Sequence, residues 1–188
     1  MAMKAVFGLG NPGDRYALTR HNVGARAVLS YVQGHRPPPR PQEEGFSIVY
    51  RWADHLCVLP QTYMNRSGIA YVDALEQFGI DPAQSLVIFD DADLPFGQLR
   101  LRRSGGAGGQ KGMASILEHV GHQEVPRLRI GIGSAHRPAD LAQFVLEPFS
   151  ASERELLPKV LSRACDAMEC FMRFDVQTAM NRFNGAAL

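Results

Sequence analysis

Four polar side chains have the chemistry needed to direct water at an acyl group. His21 carries an imidazole that can accept a proton near neutral pH, and Asp90 carries a carboxylate that can orient such a ring. Asn11 and Asn65 can give neutral hydrogen bonds to a developing oxyanion. Because the set contains no nucleophile of its own, it favours attack by water. Each residue also has a plain structural interpretation, as a helix-start histidine, as turn asparagines or as an aspartate that begins a turn.

The predicted strands bring these polar residues to one edge of a sheet. Residues 4–10 form a short apolar run that ends on a glycine, and Asn11 follows it. Residues 85–89 give the strongest strand pattern of the chain, and three aspartates follow within residues 90–93. In open α/β sheets the functional crevice lies at the carboxyl ends of the strands. We therefore expect a crevice there, and Asn65 lies in a connection that can reach it.

The remaining pattern alternates strands with helices, which predicts an α/β fold. We expect a single domain over residues 1–188, with a mixed, mostly parallel, twisted sheet and helices on both faces. The other predicted strands cover residues 46–50, 56–59, 99–102 and 128–132, and the predicted helices cover residues 22–32, 68–78 and 113–120. A long amphipathic helix is expected after the capping-box pattern of Ser150 and Glu153. The proline-rich segment 36–44 is predicted to be a surface connection.

Composition excludes several classes of protein. The chain has 188 residues, of which 45% are hydrophobic and 21% charged, so a disordered tail, a collagen-like repeat or a coiled coil is excluded. No stretch approaches the roughly 18 consecutive apolar residues of a membrane span, and no signal-peptide pattern is present. Three cysteines without a CxxC pair fit reduced thiols. The thiols therefore favour a cytoplasmic protein. We expect no metal, since the six histidines lack the spacing of metal ligands.

One glycine motif resembles a dinucleotide-binding fingerprint. Gly8, Gly10 and Gly13 match G-x-G-x-x-G after a strand. The fingerprint requires a helix that begins within the motif, but Pro12 has no N–H to offer a pyrophosphate. It also requires an acidic residue about 20 positions further on, and residues 15–42 contain neither Asp nor Glu. A dinucleotide enzyme is therefore disfavoured.

The basic residues are unevenly distributed, although the formal net charge is only +1. Residues 94–130 contain six basic side chains against two acidic ones. Such an excess can meet phosphates, or it can be an ordinary solvated face. The six are Arg100, Arg102, Arg103, Lys111, Arg127 and Arg129.

Six blocks in order resemble bacterial peptidyl-tRNA hydrolase. They are FGLGNPGDRY with TRHNVG, then QTYMNRSG, DDADLPFG, GGAGGQKGM, RLRIGIG and FVLEPFS. The resemblance spans nearly the whole chain and implies a monomeric α/β enzyme that cleaves the ester joining a peptide to the 3′ ribose of tRNA. It implies a role in translation and ribosome rescue, with no cofactor, no metal and no obligate protein partner.

The resemblance also implies roles for individual residues. His21 corresponds to the general base that activates water, and Asp90 to the residue that orients it. Asn11 corresponds to an asparagine beside the histidine that helps to distinguish a blocked peptide from a free amino group. The expected substrate contacts are Tyr16, Tyr63, Asn65 and Lys111, and the expected contacts to the tRNA backbone are Arg100, Arg102, Arg103 and Arg129.

One block departs from the usual pattern of that family. Gln110 and Lys111 stand where many members have a histidine and a substrate-binding asparagine. Lysine cannot accept a hydrogen bond, so substrate recognition at this position must differ. The departure leaves open a second reading, a catalytically inactive relative that binds RNA. The presence of Asn11, His21 and Asp90 together favours the hydrolase, because a binding protein needs no base.

Overall fold

Seven β-strands form one sheet at the centre of the computed structural model, which describes residues 3–134 and 138–185. In chain order they are β1 (Lys4–Gly8), β2 (Gln42–Glu44), β3 (Ser47–Arg51), β4 (His55–Pro60), β5 (Ser85–Pro95), β6 (Leu99–Arg102) and β7 (Arg127–Gly133). Their spatial order is β2-β3-β4-β1-β5-β7-β6. Strands β4, β1, β5 and β7 pair in parallel, whereas β2, β3 and β6 pair antiparallel at the edges. The predicted mixed, mostly parallel sheet is confirmed.

Helices cover both faces of this sheet, as predicted. They are α1 (Val23–Gly34), α2 (Ser67–Phe78), α3 (Lys111–Val120), α4 (Leu141–Leu146), α5 (Ala151–Arg173) and α6 (Val176–Phe183). Residues of α1, α4, α5 and α6 share one core with the sheet, and residues of α2 and α3 share the other. Of the predicted domain 1–188, residues 1–2, 135–137 and 186–188 lie outside the described ranges.

The two cores follow from the alternation of side chains along each strand. In β5, Leu86 and Ile88 contribute to the α1 core, while Val87 and Phe89 contribute to the α3 core. All four are almost fully buried, which explains why residues 86–89 of this strand are apolar without interruption. The end of β5 is therefore held rigidly between two layers.

The end of β5 differs from the prediction. The aspartates of residues 90–93 were expected to follow the strand, but β5 continues to Pro95 and includes them. Asp90 and Asp91 pair with Ile130 and Gly131 of β7, and a register shift lies between Asp91 and Pro95. Pairing with β7 extends the strand beyond its apolar run. A carboxylate on a paired strand has less freedom than one in a loop.

Three short elements were not predicted. Gln42–Glu44 was expected to belong to a surface connection, but it forms β2 and pairs with β3 at the edge of the sheet. Its residues are mostly exposed, so no apolar alternation marks it. Helices α4 and α6 are also short, and each begins at an aspartate N-cap, Asp140 and Asp175. Because such short helices depend on tertiary packing, a single sequence gives weak signals for them.

Candidate active site

A cleft of about 530 Å³ lies at the carboxyl ends of β1, β4 and β5. The loops after β1 and β4, the end of β5 and the start of α3 all contribute to it. Its polar lining consists of Asn11, His21, Asn65, Asp90, Asp91, Gln110 and Lys111. The structure thus brings the four residues that suggested acyl chemistry into one cleft.

His21 and Asp90 form a buried pair in this cleft. His21 lies in a short 3-10 helix, Arg20–Asn22, directly before α1. Its Nδ1 atom is 2.8 Å from Oδ2 of Asp90, and the two side chains are only 10% and 3% exposed. An ionised carboxylate can only accept, so the Nδ1–H donates and Nε2 keeps its lone pair. The ring therefore has the tautomer that a base acting through Nε2 requires.

Close packing of α1 against the sheet fixes the position of this pair. Gly24 lies in the first turn of α1, and a Cβ atom at that position would be 2.1 Å from the carbonyl oxygen of Ile88 in β5. A larger residue would push the helix, and His21 with it, away from Asp90. Arg20 secures the other side of the same turn by an ion pair of 2.9 Å with Glu153, the residue that also completes the predicted capping box of α5.

The second oxygen of Asp90 is held by a residue at the start of α3. The side-chain Nε2 of Gln110 donates to Oδ1 of Asp90 over 3.0 Å. The side-chain oxygen of Gln110 accepts the backbone N–H of Met113 over 2.7 Å, which makes Gln110 the N-cap of α3. Both oxygens of Asp90 therefore accept hydrogen bonds from buried side chains.

Asp91 has different partners from those of its neighbour. Its carboxylate forms an ion pair with the Nε of Arg129, and its Oδ1 accepts the backbone N–H of Asp93 over 2.9 Å. Asp90 and Asp91 alternate along β5 and so point to opposite faces of the sheet. Of the two, Asp90 contacts the imidazole, which is the arrangement that the family resemblance implied.

Asn11 joins three segments of the chain at the edge of the cleft. Its side-chain Oδ1 accepts the backbone N–H of Met64 over 2.8 Å. Its backbone N–H donates to Oδ1 of Asn22, and its carbonyl accepts from Nδ2 of Asn22, both over 2.9 Å. Within the described ranges no hydrogen bond uses the Nδ2 of Asn11. That amide group, and the exposed side chain of Asn65, remain donors for a ligand in the cleft.

The predicted aromatic pair lies at one side of the cleft. Tyr63 lines it and is 56% exposed, and the ring of Tyr16 meets the ring of Tyr63 edge to face at 6.5 Å. Tyr16 does not line the cleft, and Arg15 lies over its ring at 4.4 Å. The opposite wall is apolar, and α4 supplies it with Leu141, Ala142, Val145 and Leu146.

The basic residues separate into different environments. Arg100 and Arg102 of β6 lie opposite Arg129 and Arg127 of β7, and neither residue of β6 has an ion pair among the described residues. Arg129, by contrast, pairs with Asp91. Arg103 lines a second cleft, away from His21. The structure therefore does not gather the four arginines that were expected to contact tRNA into one free patch.

Arg127 is buried and has a structural role. Its guanidinium donates to the carbonyl oxygens of Gly106 over 3.0 Å and Gln123 over 3.1 Å. Burial, with the nearby charge of Arg129 as a second cause, lowers the pKa of Arg127 to about 10. Its contacts hold the glycine loop that leads to Gln110. It is a structural arginine rather than part of a phosphate-binding surface.

Comparison with known proteins identifies the family. The family model for peptidyl-tRNA hydrolase matches residues 5–188. The chain is 46% identical over 187 residues to a peptidyl-tRNA hydrolase of Chloroflexus aurantiacus, which covers 97% of this chain and 99% of that protein. The chain belongs to the peptidyl-tRNA hydrolase family. A peptidyl-tRNA hydrolase of Aquifex aeolicus is 42% identical over 177 residues, covering 92% of this chain and 90% of that protein.

A solved structure agrees with this assignment. The crystal structure of peptidyl-tRNA hydrolase from Acinetobacter baumannii superposes with a TM-score of 0.86 at 31% identity, and the match covers 97% of this chain and 95% of that one. The chain is a bacterial-type peptidyl-tRNA hydrolase that acts in translation by hydrolysing peptidyl-tRNA. The prediction of its enzymatic function is confirmed.

The family assignment also decides between the alternatives. Relatives that cover nearly the whole chain are hydrolases, which disfavours the inactive RNA-binding reading. The dinucleotide reading fails on geometry as well, because α1 begins only at Val23, well after Gly13.

No group of three metal-ligating side chains occurs within residues 3–134 and 138–185. In the same ranges, no helix combines the length and apolar character needed to cross a membrane.

Sequence reasoning missed three features of the hydrolase site. Gln110 attracted attention only as a departure from the family pattern, and nothing in its sequence context shows that it contacts Asp90. Asn22 follows His21 in a recognised block, which was the available signal for a structural role beside the base. The apolar wall of α4 had no signal, because the helix itself was not predicted.

Proposed function

We propose that the hydrolase uses His21 as a general base that activates water to attack the ester carbonyl of peptidyl-tRNA. The observation that supports this most directly is the 2.8 Å contact between His21 Nδ1 and Asp90 Oδ2 in the cleft. Asp90 holds the ring in the tautomer that leaves Nε2 unprotonated, and it stabilises the imidazolium when that nitrogen accepts a proton.

The proton transfers balance over the two steps. Water gives a proton to Nε2 of His21 while its oxygen bonds to the carbonyl carbon, and the carbonyl oxygen becomes an oxyanion. When the intermediate collapses, the bond between that carbon and the 3′ oxygen of the ribose breaks. The departing oxygen takes the proton from the imidazolium. The products are the peptide acid and a tRNA with a free 3′ hydroxyl.

The amides around the base position the substrate. Asn11 has its Oδ1 engaged by Met64, so its Nδ2 is directed to donate to a substrate carbonyl or to the oxyanion. Asn65 acts on the same side of the cleft and helps to hold the attacking water. Tyr63 and Tyr16 give aromatic surface to the tRNA end or the peptide, and the wall of α4 receives apolar peptide side chains.

Basic residues beside the cleft bind the acceptor stem and 3′ end of tRNA. Arg100 and Arg102 are the main contributors, since no carboxylate among the described residues neutralises them. Lys111 adds an exposed cation at the start of α3, where a phosphate is favoured. Arg129, which pairs with Asp91, and Arg103, which lines the second cleft, contribute less. Contacts of this kind are independent of sequence and weaken with salt, as an enzyme for all tRNAs requires.

The same function carries expectations about the cellular setting. Peptidyl-tRNA that leaves the ribosome prematurely arises in the cytoplasm, where we place the enzyme as a ribosome-rescue factor. The residues proposed for catalysis share one cleft within a single chain, so the proposed steps need no second subunit, and we propose a monomer that acts without an obligate protein partner. No cofactor takes part in the proposed steps.

Hydrolysis of an N-acetyl-aminoacyl-tRNA without added cofactor tests the mechanism. We expect His21→Ala to lower kcat by about a hundredfold to ten-thousandfold while changing KM little, because it removes the base and not the binding surface. His35→Ala is the matched control, since His35 lies at the end of α1 and bonds the Tyr31 carbonyl instead. Activity of His21→Ala close to that of the control would refute the assignment of the base.

A further inference from the structure

We infer that Gln110 is a positioning residue that holds Asp90 in the orientation required to direct His21. The inference rests on the proposed function, because it concerns the carboxylate that serves the base. His21 donates to one oxygen of Asp90 over 2.8 Å, and Gln110 donates to the other over 3.0 Å. All three residues are less than 9% exposed, so water competes little for these bonds.

The orientation of the Gln110 amide is fixed at both ends. Its oxygen faces the backbone N–H of Met113 over 2.7 Å, and an N–H can only donate. Its Nε2 faces Asp90, and a carboxylate can only accept, while the same nitrogen lies 3.2 Å from the sulfur of Met64. If the amide were flipped, its NH2 group would face the N–H of Met113, a donor against a donor, and its oxygen would face the carboxylate of Asp90, an acceptor against an acceptor. The start of α3 therefore determines which atom Gln110 presents to Asp90.

This arrangement acts on the base through the carboxylate. A carboxylate with a single donor can rotate about its Cβ–Cγ bond, whereas two donors on its two oxygens fix its plane. The plane of Asp90 sets the direction of the hydrogen bond to His21 and hence where Nε2 points. Gln110 does not touch the reacting atoms. Its contacts link the start of α3 to Asp90, and the orientation of Asp90 in turn sets that of His21.

A helix-capping role alone would make a different prediction, and two substitutions separate the roles. Gln110→Glu keeps an oxygen for the N–H of Met113, so the cap is retained, and it changes only the atom that faces Asp90. A protonated Glu at this position donates to Asp90, and an ionised one repels it. Gln110→Met has a similar volume but removes both hydrogen bonds, and it cannot titrate.

The test is the pH profile of kcat for hydrolysis of N-acetyl-aminoacyl-tRNA by wild type and both variants. We expect the wild-type rate to exceed that of Gln110→Glu by a ratio that grows with pH and reaches roughly tenfold to a hundredfold, as the side chain loses its proton. For Gln110→Met we expect a loss of similar size that does not depend on pH. KM should change little in either variant, because the binding surface is intact.

Three outcomes decide the inference. A Gln110→Glu enzyme that matches wild type at a pH where infrared spectra show the introduced carboxyl to be ionised, beside an impaired Gln110→Met, would show that only the cap matters and would overturn it. A Gln110→Met enzyme with wild-type kcat would overturn it too, because that variant lacks both hydrogen bonds of Gln110. If Gln110→Met fails to fold, as judged by its circular dichroism, the profile of Gln110→Glu decides alone. His21→Ala in the same assay tests the proposed function separately, so failure of one remains distinguishable from failure of the other.

Discussion

Two clefts of similar size lie at opposite ends of the parallel strands. The active-site cleft measures about 530 Å³, and the second cleft, at the amino ends of β1, β5 and β7, measures about 560 Å³. The second cleft is also rich in charge, since Lys4, Asp81, Arg103, His122, Glu124 and Asp175 line it. Neither size nor the number of charged groups distinguishes the catalytic end of the sheet from the other end.

Two charged groups of the second cleft, Lys4 and Asp175, are used to close helix ends. The ammonium group of Lys4 donates to the carbonyl oxygens of Phe171 and Met172 at the end of α5, over 3.0 and 3.2 Å. The carboxylate of Asp175 accepts the backbone N–H of Thr178 at the start of α6 over 2.6 Å. That bond lowers the pKa of Asp175 below its ordinary value. These charges stabilise the fold and leave little for a ligand.

The active-site cleft uses the same kinds of contact but leaves one polar atom available on His21 and one on Asn11. The Nδ1 of His21 bonds to Asp90, which leaves Nε2 available, and the Oδ1 of Asn11 accepts the N–H of Met64, which leaves Nδ2 available. The held atom fixes the direction of the available one. The comparison teaches that half-satisfied, converging side chains mark a catalytic site better than charge or volume does.

The largest expected effect comes from exchanging one carboxylate in each cleft. We expect Asp90→Asn to lower kcat by about a hundredfold to ten-thousandfold, because both oxygens of Asp90 accept N–H groups and an amide must set its own NH2 against one of them. Asp175→Asn should retain wild-type kcat, since asparagine is also a good N-cap. Equal effects of the two substitutions in the tRNA hydrolysis assay would remove the distinction between the clefts.

A second prediction compares two asparagines that make the same kind of contact. Asn22 bonds both the N–H and the carbonyl of Asn11, and Asn184 bonds both the N–H and the carbonyl of Leu101. We expect Asn22→Ala to lower kcat/KM about tenfold, because it frees the loop that carries Asn11. Asn184→Ala should lower the melting temperature and leave kcat/KM near wild type. The idea fails if Asn22→Ala affects only the melting temperature.

The smallest expected effect on chemistry comes from the arginines of β6. We expect the double substitution Arg100→Ala and Arg102→Ala to raise KM more than it lowers kcat, and to reduce the slope of log affinity against log salt by about two. Arg182→Ala is the control, because Arg182 lies on α6 and its exposed side chain covers the ring of Phe174. A fall in kcat with unchanged KM and salt dependence would contradict the assignment of Arg100 and Arg102 to tRNA binding.

Much of the fold was predictable because its main elements have strong local patterns. Residues 5–7 of β1 and 86–89 of β5 are buried on both faces and form unbroken apolar runs, and the capping box at Ser150 and Glu153 marks the start of α5. β2 and α4 were missed because they are short, and β2 in addition contains no apolar residue. Such elements form only where a neighbour supplies the packing or the hydrogen bonds that their own sequence lacks.

The site was predictable in its members but not in its pairings. His21, Asp90, Asn11 and Asn65 share the cleft as expected from the strand ends and from the family blocks. The hydrogen bond from Gln110 to Asp90 joins residues 20 positions apart, with β6 and the glycine loop between them, and no local sequence pattern predicts it. Arg129 was expected to face tRNA, yet its ion pair with Asp91 depends on the pairing of β7 with β5.

The sequence by itself determined which residues can do chemistry, the order of strands and helices, and the family. Those properties reside in residue types and short-range spacing. Only the tertiary structure decided which groups hold these side chains: the packing of α3 brings Gln110 to the second oxygen of Asp90, and the alternation along β5 gives Asp91 a different partner, Arg129. It also decided which polar side-chain atom of His21 and of Asn11 stays available, since that depends on partners brought near by the packing of α1 and the loop after β4.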